Sequence, residues 1–125
     1  MSHYTVGKGV IKDVSLLKEV AKKKGIEVVD RKSINSDFAG ERNCEFVLSY
    51  HHGEAGVIKN PDGSYSILLD NWHNPIVDKI GEDGDILCRD YMVEKAKREA
   101  AMLGGVVAAE AVDTNGNVEL TIQIY

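Results

Sequence analysis

Apolar and polar positions change their rhythm several times along the chain. From His3 to Ile11, Tyr4, Val6, Lys8 and Val10 share one parity and His3, Thr5, Gly7, Gly9 and Ile11 the other, which predicts a strand weakened or bent by its glycines. Val14, Leu17, Val20 and Ala21 then recur at helical spacing behind Asp13, a capping residue. Lys22, Lys23 and Lys24 crowd the end of that helix, where the carbonyl pole favours cations, and Gly25 closes it. Ile26 to Val29 reads as a short strand. Residues 30 to 43 show neither period and read as a loop, mobile or facing a ligand.

From Cys44 the period becomes two, with Cys44, Phe46, Leu48 and Tyr50 on one face and Glu45, Val47, Ser49 and His51 on the other. The turn His51-His52-Gly53-Glu54 leads to a strand over Ala55 to Lys59. Asn60-Pro61-Asp62-Gly63 has turn chemistry and joins it to a third strand, Ser64 to Trp72. Residues 74 to 84 break the pattern before a second helix, over roughly Asp85 to Leu103 or in a shorter version capped by Asp90. Met92, Ala96, Ala100 and Leu103 form its expected buried stripe, and Glu94 and Arg98 can pair across one turn. Val106 to Val112 and Val118 to Tyr125 read as a hairpin around Asn115-Gly116. The order predicts a single α+β domain over residues 1–125: a mostly antiparallel sheet with two helices on one face, ferredoxin-like with an added hairpin. Helices on one side leave the other sheet face open for binding, and the strand Val118 to Tyr125 is a candidate edge for homo-oligomer contacts.

Composition narrows this picture. A chain of 125 residues with 43% hydrophobic content supports one core. The formal net charge of −5 gives no global attraction to nucleic-acid polymers or anionic membranes. No apolar run approaches the roughly 20 residues of a membrane span. Two cysteines, Cys44 and Cys88, without a signal-peptide h-region fit a reducing cytoplasm.

Candidate chemistry is sparse. His3, His51, His52, His73, Cys44 and Cys88 lack metal-ligand spacing, so no metal and no cofactor is expected. Gly7-Lys8-Gly9 lacks the remainder of a phosphate loop. The densest polar-aromatic segment is Asp70-Asn71-Trp72-His73, where Trp72 can stack on a planar group and Asp70 can accept hydrogen bonds; a tryptophan sealing a sheet edge is the structural alternative. Tyr50, His51 and His52 end another strand of the same meander. Arg31 and Arg42, in the basic stretch 31 to 42, can hold phosphate or can simply be solvated charges. No serine or cysteine has an evident base and orienter.

The opening Met1-Ser2-His3-Tyr4, the turn Asp62-Gly63-Ser64-Tyr65 with Asp70-Asn71-Trp72 after it, and the closing Gly104, Asn115-Gly116-Asn117-Val118-Glu119-Leu120 and Tyr125 go together. On these residues the chain resembles, over nearly its full length, the hypothetical chloroplast reading frame thirty-five family of small plastid, cyanobacterial, bacterial and phage proteins. The resemblance implies no established activity or cofactor, fits a compact non-catalytic α+β module, and allows a viral source. The expected function is a non-catalytic binding module for a small polar ligand such as a nucleotide, sequestering a host signalling nucleotide if the source is a phage. A protein-interaction or adaptor domain docking on a larger assembly such as an ATPase, and a small histidine-dependent enzyme, are the alternatives.

Overall fold

The computed structural model describes residues 2–6, 10–36, 40–112, 114 and 118–124. The fold is α+β with antiparallel strand pairing throughout the described residues. The strands form three sheets rather than one, so the ferredoxin-like arrangement is not the one described. The chain divides into two compact units, Val10–Leu87 and Met1–Gly9 with Cys88–Tyr125.

The unit Val10–Leu87 opens with α1, Val14–Lys23. Its N-cap Asp13 accepts a hydrogen bond from Leu16 N at 3.1 Å, satisfying one of the amides a helix start leaves orphaned. Leu16, Leu17, Val20 and Ala21 are buried; of the stripe the spacing predicts, Val14 is only half-buried, and Leu16 joins it. Strands β2 (Glu27–Val29), β5 (Phe46–Tyr50), β6 (Gly53–Lys59) and β7 (Tyr65–Leu68) pair in the order β2-β5-β6-β7. Strands β3 (Ser33–Ser36) and β4 (Gly40–Asn43) form a separate hairpin, so the stretch read as a loop is mostly strand. Its polar composition hid the alternation, because among the described residues there only Ile34 is buried.

Both faces of the four-stranded sheet are covered at its centre. Phe46, Val47 and Leu48 are consecutive, so their side chains alternate between faces, yet all three are buried. The Lys18 ammonium of α1 lies 4.7 Å from the Phe46 ring centroid, placing α1 on the Phe46 side. On the other side, Gly56 faces Val47 across the ladder, and a methyl group there would meet Ile34 Cγ2 at 3.1 Å and Cys44 Cβ at 3.2 Å. The β3–β4 hairpin thus seals the face expected to be open. Strand β7 stops at Leu68, and beyond it lie a short helix α2 (Val77–Ile80) and a 3-10 turn (Glu82–Gly84) where the sequence shows only a break.

The other unit contains β1 (Ser2–Val6), β8 (Gly105–Val112), β9 (Val118–Ile124) and most of α3 (Asp85–Met102). Val93 and Ala100 of α3 are buried in one cluster with Val118, Leu120 and Ile122, and Met92 and Ala96 pack partly against it. Leu103 lies past the helix end and is exposed, unlike the expected stripe. Arg98 Nε donates to Glu94 Oε1 at 3.2 Å, the expected i,i+4 pair. The strand order is β1-β9-β8, so the C-terminal strand is central, not the edge it was expected to be. The Asn115-Gly116 turn and Gly7-Lys8-Gly9 lie outside the described residues.

Candidate functional site

The unit Val10–Leu87 holds a cleft of about 220 Å³ at the β7 end of the sheet, lined by segments far apart in sequence. The β3–β4 hairpin contributes Ile34, Asn35 and Arg42; the start of β6 contributes His52, Gly53 and Glu54; and residues 68–75 contribute Leu68, Leu69, Asp70, Trp72, His73, Asn74 and Pro75. Of the residues singled out from sequence, Arg42, His52, Asp70, Trp72 and His73 converge on this cleft. Tyr50, His51 and Arg31 do not line it.

Local chemistry explains why the chain takes this shape. The register pairs Tyr50 with Gly53, so His51 and His52 are the loop of a two-residue hairpin rather than a continuing strand. Both have positive φ, 46° and 69°, the requirement of a type I′ turn and one that side chains with Cβ meet at a cost. The Tyr50 ring sits edge-on to His51 at 4.2 Å between centroids, with the Lys79 ammonium 5.3 Å from the Tyr50 ring centroid. Arg31 ion-pairs with Glu54, a cleft residue, so it acts one contact away from the cavity.

Asp70 and Trp72 lie in a turn past the end of β7, not on one strand face. Asp70 Oδ1 accepts from Trp72 N at 2.9 Å, an Asx turn that orients the segment. The next link is Asn74, whose side-chain amide donates to Glu54 O at 3.0 Å and Asp70 O at 2.9 Å. Asn71 and Asp83 exchange two hydrogen bonds, Asn71 Nδ2 to Asp83 Oδ1 at 3.1 Å and Asp83 N to Asn71 Oδ1 at 3.0 Å. The 70–76 loop is thus held by the side-chain hydrogen bonds of Asn71 and Asn74 and anchored at its end by Ile76, which is fully buried. Trp72 is 68% exposed, so it does not seal a sheet edge; its indole meets His73 edge-on at 4.5 Å between centroids.

The charges divide unequally. Glu54 is engaged by Arg31, and Asp70 by its own turn, whereas Arg42 has no ion pair among the described residues. An exposed indole, two imidazoles and an uncommitted guanidinium therefore border one small cavity. Such a set can stack on a planar group and pair with an anion. Asn35, Gly53, Glu54 and Asn74 escaped the sequence reading because they belong to the cleft through long-range pairing; the Asn74-Pro75 turn signal was the only local hint. Among the described residues no three of His, Cys, Asp and Glu are grouped to hold a metal ion, and no helix is long and apolar enough to cross a membrane.

No family model, curated protein or solved structure matches this chain. Its functional reading therefore rests on the cleft.

Proposed function

We propose that the protein binds a small ligand that combines a planar ring with an anionic group, a nucleotide being the class that fits, and holds it without transforming it. The observation that carries this reading is the pairing of an exposed Trp72 with Arg42 on one cleft. Tryptophans are mostly buried, and here the indole is exposed on a loop whose backbone the Asp70 Asx turn orients, leaving a ring face open to stack on a planar group. The cavity, about 220 Å³, is below the roughly 300 Å³ at which drug-sized ligand pockets begin. It suits the ring of such a ligand, with the phosphate outside on the Arg42 guanidinium. A non-catalytic α+β module is also what kinship with the hypothetical chloroplast reading frame thirty-five family would imply.

Trp72 is the single tryptophan, so its emission reports the site directly. Titration with linear and cyclic purine and pyrimidine nucleotides is expected to change Trp72 fluorescence and raise the thermal midpoint. Arg42→Ala should weaken binding by about tenfold or more, the worth of a charge-assisted contact, and Trp72→Ala should abolish the thermal shift. The bound nucleotide should return intact on denaturation, which separates holding from turnover. No emission change and no stabilisation with any nucleotide at about 1 mM, where even weak complexes of about −4 kcal/mol are half formed, would refute the reading.

A further inference from the structure

We infer that β8 is an interface for a second copy of this chain, pairing antiparallel with its own counterpart across a two-fold axis at Ala109. In the order β1-β9-β8, strand β8 is an edge, and every residue from Ala108 to Val112 is exposed. Its sequence, GVVAAEAV, contains no lysine or proline to blunt the unpaired amides and carbonyls, and its one charge, Glu110, is held by Lys97 at 2.9 Å. Val106 and Val112, at its two ends, are 47% and 58% exposed.

The occupant follows from the strand's own pattern. Val107, Glu110 and Val112 face Ile122, Leu120 and Val118, which lie in the α3 cluster, so they sit on the helix side. Val106, Ala109 and Ala111 face Gln123, Thr121 and Glu119 on the other side, and Ala108 is the extra residue of a bulge. Antiparallel self-pairing must match like faces. With the axis at Ala109, Ala109 meets Ala109 of the second copy, Val107 meets Glu110, Val106 meets Ala111 and Gly105 meets Val112. Val106 and Val112, the large residues at the two ends, therefore meet Ala111 and Gly105, and the two bulges, both at alanines, flank the axis. Of the two neighbouring registers that also match faces, one sets Glu110 against Glu110 of the second copy, two like charges directly opposite, and the other, centred on Val107, leaves Ala111 and Val112 of both copies unpaired. The Ala109 register alone pairs the whole strand without opposing like charges, the isologous form of a closed dimer.

Sedimentation of the full chain at about 100 μM should give twice the 13.7 kDa chain mass, and Ala109→Glu, a change at an exposed position, should give the single mass. Two carboxylates facing each other at the axis should raise the dissociation constant by about tenfold or more. Mild oxidation should link Ala109→Cys chains into covalent dimers, since directly opposed strand residues sit at disulfide distance, while Glu110→Cys and the wild-type chain should not link. A monomeric wild-type chain, an Ala109→Glu chain that stays dimeric, or linkage through position 110 in place of 109 would overturn the inference. None of these readouts depends on the cleft or its ligand.

Discussion

Gly53→Ala tests whether the cleft is built by the close approach of two segments. Gly53 has no positive φ, so alanine is acceptable to its backbone. The obstacle is space: a methyl group would overlap Asn74 Oδ1 and lie 2.7 Å from Ile76 N and 2.9 Å from Pro75 Cδ. Two of these three obstacles are backbone or ring atoms that cannot swing aside. The 74–76 segment must retreat, and Asn74 then loses its bonds to Glu54 O and Asp70 O. Overpacking costs about 1–3 kcal/mol, and each lost hydrogen bond about 1 kcal/mol; with partial relaxation the sum is about 2–4 kcal/mol. For a urea slope of about 2 kcal/mol/M, the midpoint followed by Trp72 emission should fall by about 1–2 M. Gly25→Ala is the control, because its φ of +79° faces open space and the cost is backbone strain alone, about 1 kcal/mol. In an Asn74→Ala background the cost of Gly53→Ala should shrink by about 2 kcal/mol, since one obstacle and both bonds are already gone. A Gly53→Ala midpoint within error of wild type, or strict additivity with Asn74→Ala, would refute the reasoning.

Replacing His51-His52 by Asn-Gly should stabilise the protein by about 1 kcal/mol, because both positions need positive φ, and should weaken the nucleotide response through loss of His52; a lowered thermal midpoint would contradict the turn assignment. Burial pushes the Cys44 thiol up, against the pull of Arg31 and Lys32, so at pH 8 the native chain should label slowly at Cys44 and react only on unfolding; fast native labelling there would count against it. The hydroxyl and amide of Ser64, at 2.6 and 2.9 Å, hold the Asp62 carboxyl below its ordinary value of 3.8. A carboxyl lowered by folding adds stability that is fully present above its unfolded value and lost as pH falls through the lower folded value. Asp62→Asn should therefore differ from wild type more at pH 6 than near pH 2, and thermal midpoints that run parallel across that range would refute the link.

The parts of the fold legible in the sequence are those held by local chemistry. Asp13 and Gly25 bracket α1, Glu94 and Arg98 lie on α3, β5 follows a period of two, and β6 and β7 are set off by the turns at 51–54 and 60–63. What stayed hidden depends on pairing across distance. Residues 30 to 43 look like a polar loop because, among the described residues, the β3–β4 hairpin buries only Ile34, and that side chain meets Gly56, a residue whose role is to have none. The same kind of omission conceals the cleft. Arg42 and Trp72 are 30 positions apart, and what sets the cleft between them is a glycine at 53 that lets Asn74 reach Glu54 O. A missing Cβ leaves no periodicity to read. The aromatic and charged residues that would touch a ligand were therefore visible from composition and spacing, while the residues that bring them together are small or polar and declare themselves only through the contacts they permit.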